Sequence, residues 1–131
     1  MYHVSDVMNG SEVSMFGYGE SLTIVSPNYP DNYPNNRNIQ WLVSGPTDYQ
    51  IMANFYAFEL ESGYDFLKIG SGLESQDESS KLVKLSGSSL PDDLISANNE
   101  MWLNFTSDGS VRRTGFWIEI KVFDPHPGMF M

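Results

Sequence analysis

"GFWIEIKVF", residues 115–123, alternates apolar and polar side chains without a break. Phe116, Ile118, Ile120 and Val122 point one way, and Trp117, Glu119 and Lys121 the other. Successive strand residues leave opposite faces, so this pattern specifies a β-strand with one face in a core. Just upstream, "EMWLNF" (100–105) sets Met101, Leu103 and Phe105 on one face. "IQWLV" (39–43), "YDFLKIG" (64–70) and "KLVKLSG" (81–87) add further strands. "YQIMANFYAFEL" (49–60) reads as a longer one, apolar on both faces as in a strand buried between layers. Between them lie the turn signals "SGPTD", "ESGYD", "GSGLESQDESS", "SLPDD" and "TSDGSVRRTG". Short strands and turns in regular succession, with no helix-period segment, predict an all-β fold: an antiparallel two-sheet β-sandwich. The acidic, serine-rich "GLESQDESSK" is expected to be a solvated hairpin loop. Residues 1–16 read as a polar extension able to supply an edge strand, 17–124 as the sandwich domain and 125–131 as a tail.

Composition narrows the function classes. The 131 residues fit one domain, and 40% hydrophobic and 14% aromatic residues supply a core. Seventeen Asp plus Glu against seven Lys plus Arg give a formal net charge of −10. Such charge repels nucleic acid and anionic lipid and favours calcium or a basic protein patch as partner. No apolar run approaches the roughly 18 residues of a membrane span. The opening "MYHVSDVMNGSEV" lacks the basic and apolar regions of a signal peptide, as expected of a processed N-terminus. The chain has no cysteine, which excludes disulfides, thiolate catalysis and Cys-ligated zinc.

"SPNYPDNYPNN" (26–36) is loop by composition, since its prolines suit neither helix interior nor central strand. It nevertheless keeps two tyrosines, side chains that want both packing and a hydrogen-bond partner. This stretch, followed by "IQWLV", resembles the SPNYP…YP…W opening of CUB domains, β-sandwich modules of extracellular proteins. "FELESGYDFLKIG" resembles the family's F-x-L-E…YD segment. "LSGSSLPDDLISANNEMWLNFTSDGSVRRTGFWIEIKV" resembles its later G…P…S…N…F-x-SD…GF stretch. The similarity runs over residues 17–123, with the motifs in order. It implies a jelly-roll-like sandwich, an extracellular setting and a role in protein interaction. CUB domains usually carry four cysteines in two bridges; here Ile39, Ser62 and Ser86 stand where three of them are usual.

The resemblance also implies a calcium site at one end of the sandwich. Carried over position by position, its carboxylates are Glu61, Asp65 and Asp108. Tyr33 supports them by hydrogen bonding, and oxygens of Gly109, Ser110 and Val111 complete the shell. The chemistry suits the ion, because Ca²⁺ takes six to eight oxygen ligands in flexible geometry. Three carboxylates about 5 Å apart repel by roughly 3 kcal/mol per pair at an effective dielectric near 20, a penalty that a divalent cation reverses. The family's loop between this Glu and Asp is usually longer. A two-residue Ser62-Gly63 hairpin turn would pair Glu61 with Tyr64 and send Asp65 to the opposite face. A three-residue loop would instead bring Glu61 and Asp65 together. In calcium-binding CUB domains a partner's lysine docks on the ion-holding carboxylates, a role that falls here to Glu61 and Asp108 with Ser110 beside them.

Other candidates carry less. Trp102 and Trp117 lie on the polar side of their strands and predict an exposed aromatic face suited to a glycan or protein contact, or to packing under the extension; Trp41 is expected in the core. Asn9-Gly-Ser and Asn104-Phe-Thr match the N-glycosylation pattern. Arg112-Arg113 reads as a solvated loop tip. His3 and His126 have no visible partner. With no nucleophile–base pair and no phosphate-binding loop, a non-catalytic binding module is expected, calcium-stabilised and recognising a lysine-bearing protein segment. The alternatives are a carbohydrate-binding module or a structural accessory domain of a larger secreted protein.

Overall fold

The structure is a computed structural model that describes residues 2–3, 11–14, 19–75 and 77–125. Ten strands occupy them: β1 (Tyr2–His3), β2 (Ser11–Ser14), β3 (Ser21–Val25), β4 (Asn38–Ser44), β5 (Gln50–Glu59), β6 (Phe66–Ser71), β7 (Lys81–Leu85), β8 (Leu94–Ile95), β9 (Glu100–Thr106) and β10 (Gly115–Phe123). They form two five-stranded sheets, β1-β3-β10-β5-β8 and β2-β4-β9-β6-β7. Pairing is antiparallel except at β1–β3 and β2–β4, where the N-terminal strands run parallel to their neighbours. The expected two-sheet sandwich is therefore present, with an edge strand added to each sheet by the first fourteen residues.

The alternation in β10 does what its pattern requires. Phe116, Ile118, Ile120 and Val122 are buried, opposite Leu22 and Ile24 of β3 and Ile51, Ala53, Phe55 and Phe58 of β5. The facing sheet contributes Ile39, Trp41, Val43, Leu67, Ile69, Met101, Leu103 and Phe105. Ile39, standing where the family usually has a cysteine, is 2% exposed. Its burial contributes on the order of 1.5–3 kcal/mol of transfer free energy in place of a covalent link.

β5 departs from expectation in an instructive way. Its pairing with β10 shifts register between Trp117 and Ile118, so that Tyr56 is an extra, bulged residue. Inward phase is carried by Ile51, Ala53 and Phe55 before the bulge, and by Phe58 and Leu60 after it. The strand looks apolar on both faces because its alternation changes phase, not because both faces are core.

β3 to β4, β4 to β5, β5 to β6, β7 to β8, β8 to β9 and β9 to β10 each pass from one sheet to the other. β6 and β7 form a hairpin, closed by the acidic, serine-rich loop. "ESGYD" is consequently not a hairpin turn: β5 and β6 lie in different sheets, and the turn steps between them. The register shows that loops 26–37, 60–65, 86–93 and 107–114 gather at one end of the sandwich.

Candidate functional site

Tyr33 answers why a proline-rich loop keeps a tyrosine. Its ring is fully buried and meets Phe105 edge-on at 5.0 Å. Phe105 meets Phe116 at 5.4 Å, and Phe116 meets Trp41 at 6.0 Å, so a column of edge-to-face rings ties both sheets to this loop. The Tyr33 backbone N–H donates to Arg113 O at 3.0 Å, fixing its loop against the 107–114 loop that leads into β10. Its hydroxyl donates to Asp65 Oδ2 at 2.6 Å and accepts the Glu61 N–H at 3.1 Å. Burial, and then the Asp65 carboxylate, push the Tyr33 hydroxyl well above the ordinary tyrosine range, so it remains a donor.

Asp65 is completely buried. Its second oxygen, Oδ1, accepts the Asp108 N–H at 2.9 Å, which draws the 107–114 loop onto the 61–65 turn. That turn spans three residues: Tyr64 and Asp65 N–H both point to Glu61 O, at 3.3 and 3.0 Å. Gly63 supplies the positive φ of 82° that the reversal needs. Of the two loop lengths open to the sequence, the three-residue one holds, and Glu61 and Asp65 come to the same place. One ligand oxygen from each of Glu61, Asp65 and Asp108 lies within 4.8 Å of the others.

Two features of this cluster point to a cation. Glu61 Oε1 is buried without a hydrogen-bond partner. Burial, followed by the charges of Asp108 and Asp65, raises the Glu61 carboxyl above its usual range, opposed in part by Arg113. A buried acceptor among like charges is costly unless an ion or proton meets it. The donor set is hard oxygen throughout, the chemistry of Ca²⁺ or Mg²⁺ rather than of zinc or copper.

The shell around the carboxylates is specific. Asp108 Oδ1 accepts the Ser110 N–H at 3.2 Å, and Asp108 O accepts the Asn36 N–H at 2.8 Å. Gly109 and Ser110 are exposed at the loop tip, and Val111 follows with φ of 58°. A β-branched residue there is strained by about 1–3 kcal/mol.

Several supporting residues lay outside the expected site. Ser86 Oγ accepts the Gly63 N–H at 2.9 Å and lies 2.8 Å from Asp65 O and 3.1 Å from Glu61 O, as acceptors for its proton. Leu60 N–H donates to Gly87 O at 2.8 Å. Hydrogen bonds thus bind the 61–65 turn to residues 86–87, where the family usually has a disulfide. Glu59 Oε1 accepts the Thr114 hydroxyl at 3.0 Å, steadying the far end of the 107–114 loop. The sequence signal for the Ser86 contacts was the standing of Ser62 and Ser86 where the family usually has cysteines; the Glu59–Thr114 contact had none.

Other expectations divide. Trp102 is not exposed: its indole lies over Gly70, whose absent side chain leaves room for it, and donates to Ser80 Oγ at 3.1 Å. Trp102 is therefore unavailable to a glycan, whereas Trp117 is 38% exposed. Asn104 is buried, and its amide donates to Asn38 Oδ1 and Ile39 O at 2.9 and 3.2 Å, which removes it as a glycan acceptor in the folded chain. Trp41 lies in the core as expected, and Arg112 and Arg113 are exposed. Asn9 and His126 lie outside the described residues, as does the side chain of His3.

Comparison with known proteins accords with this architecture. The family model described as "CUB domain" matches residues 17–120. A bone morphogenetic protein 1 homolog of Strongylocentrotus purpuratus is 39% identical over 101 residues, covering 74% of this chain and 16% of that protein. Mouse tolloid-like protein 1 is 40% identical over 103 residues, covering 76% of this chain and 10% of that protein. The chain thus spans a small part of the length of these relatives. Among solved structures, the CUB1-EGF-CUB2 domain of human MASP-1/3 superposes with a TM-score of 0.70 at 29% identity, covering 79% of this chain and 42% of the other. The MASP-1 CUB2 domain bound to Ca²⁺ gives 0.69 at 21% identity, covering 81% and 96%. With its two-sheet sandwich, its ordered motifs and this family match, the chain belongs to the CUB domain family.

Proposed function

We propose that this CUB domain is a non-catalytic extracellular binding module whose loop end is ordered by calcium. The observation that carries the reading is the convergence of Glu61, Asp65 and Asp108 within 4.8 Å, with Glu61 Oε1 buried and unpaired. The three carboxylates would hold the ion, with Gly109 and Ser110 at the loop tip completing its shell. The ion would supply positive charge that offsets their repulsion and locks the 61–65 turn to the 107–114 loop. Tyr33 and the Asp108 N–H keep Asp65 aimed, so ligand geometry is set before binding.

The partner that this arrangement favours is a protein segment presenting a lysine. Glu61 and Asp108 are only half-buried, so each can face both the ion and an incoming ammonium, with Ser110 alongside. The charge-assisted hydrogen bonds formed there are about twice as strong as neutral ones. The net charge of −10 would speed encounter with a basic surface.

Thermal unfolding in calcium against chelator tests the reading. At a hundredfold excess over Kd, calcium should stabilise by about 2.7 kcal/mol, or roughly ten degrees for a domain of this size. Magnesium at equal concentration should give much less. Asp108→Ala should abolish the calcium shift and the capture of a lysine-bearing peptide, while the melting point in chelator stays the same or rises. An unchanged melting point of the parent chain in calcium would overturn the reading.

A further inference from the structure

We propose that Tyr56, Trp117 and Glu119 form a docking site for an arginine side chain of a protein partner, on the outer face of the first sheet. This site is separate from the carboxylate cluster. The β5 bulge turns Tyr56 outward beside Trp117, and the rings sit 5.1 Å apart at an interplanar angle of 33°. They are 54% and 38% exposed, both among the exposed large hydrophobic side chains of the described residues. Ala57, opposite Trp117 in the register, offers too little side chain to cover the indole.

Polar contacts among the described residues orient the pair. Trp117 Nε1–H donates to Glu119 Oε2 at 2.9 Å, and the buried Thr23 hydroxyl donates to the same oxygen at 2.7 Å. Both hydrogen-bond donors flanking the rings are thereby consumed. Beside the rings, Glu119 Oε1 remains as an acceptor, with no hydrogen bond found for it among the described residues. Lys121, on the same face of β10, forms no ion pair with Glu119; the salt bridge found among the described residues is Lys81–Glu78.

Electron-rich rings beside a carboxylate with a free oxygen favour a planar, donor-rich cation. Guanidinium fits all of these: it stacks on aromatic faces while presenting N–H groups in its own plane. The excess negative charge of the chain favours the same ligand over a neutral sugar. Trp117 also stands only two residues beyond Gly115, so the platform adjoins the loop end where a basic partner is drawn.

The test uses the full chain in saturating calcium, labelled with ¹⁵N, and a blocked glycine-serine pentapeptide with one central arginine. A Trp117→Phe variant assigns the indole N–H signal. Titration to millimolar peptide should move that signal, and replacing arginine by citrulline, its neutral isostere, should weaken binding at least fivefold. Glu119→Gln, which preserves the indole hydrogen bond, should weaken it about threefold, in line with an exposed cation–π and carboxylate contact. Equal response to citrulline, an unmoved indole signal, or shifts confined to residues 61–65 and 107–111 would each overturn the proposal. So would a neutral oligosaccharide that moves the Trp117 signal where the arginine peptide does not; that outcome would assign the face to a glycan.

Discussion

The Tyr33 hydroxyl donates to the buried Asp65 carboxylate at 2.6 Å while accepting the Glu61 backbone N–H at 3.1 Å. One phenol thus fixes the side chain of one candidate ligand and the main chain of another. Because burial and Asp65 raise its pKa, it holds its proton throughout the physiological range.

Tyr33→Phe should therefore cost more than a typical buried hydrogen bond. The ring still packs on Phe105, but Asp65 Oδ2 loses its donor and the Glu61 N–H its acceptor. An uncompensated buried charge-bearing group costs about 1–3 kcal/mol or more. Urea unfolding in chelator should show a loss of that size, and calcium affinity should fall with it. A variant within about 0.5 kcal/mol of the parent, the range of neutral surface changes, would show that Asp65 is not held in this way.

The pH dependence follows from Glu61. Its carboxyl is raised by burial and by Asp108 and Asp65, so the folded metal-free chain binds a proton that the unfolded chain has released. This contribution to stability is fully present below the unfolded glutamate pKa of about 4.3 and is lost as pH rises through the higher folded value. Calcium acts in the opposite sense, because protons compete with it for the same oxygens. Melting points taken across this window should fall with rising pH in chelator, relative to Glu61→Gln. The calcium-induced shift should grow over the same range. A calcium shift that is flat with pH would remove Glu61 from the ligand set.

Much of this was written in the sequence, and what was not has identifiable causes. The β10 alternation and the Tyr-Pro, Tyr-Asp and Ser-Asp motifs are local, and they led to the correct sandwich and to one cluster. Trp102 and Trp117 carry the same phase in their strands, yet one is buried and the other is not. The difference lies in Gly70 on a neighbouring strand and in Ser80, a relation that exists only once register is known. The 61–65 turn looked like a hairpin because chain neighbours usually pair; here the chain changes sheet. The bulge at Tyr56 is likewise invisible in a strand whose residues are apolar on either side of it.

Ser86→Ala probes the hydrogen bonds that stand where a disulfide is usual. Removing Oγ strips the Gly63 N–H of its acceptor and the Asp65 and Glu61 carbonyls of a donor. Partial exposure lets water replace some of these contacts, so a loss of about 1 kcal/mol is expected, within the range for a single hydrogen bond. The informative measurement is calcium affinity by titration calorimetry. The turn holds two of the three carboxylates, so affinity should fall several-fold. Unaltered affinity would mean that the ring column and Tyr33 alone position the turn.

The two tryptophans separate structural from surface roles. Trp102→Ala empties a fully buried site over Gly70 and should cost about 3–5 kcal/mol, as large-to-small aromatic changes do. Gly70→Ala should be harmful from the other direction. A Cβ there would lie 2.4 Å from the indole, forcing it aside at a cost of about 1–3 kcal/mol. Trp117→Ala removes a cross-strand aromatic pair and an exposed indole hydrogen bond to Glu119, and should cost about 1 kcal/mol or less. Chemical denaturation of the three variants checks the order. Were Trp117→Ala as costly as Trp102→Ala, the outer face of the first sheet would be a packed surface rather than an accessible one, and the arginine platform would lose its basis.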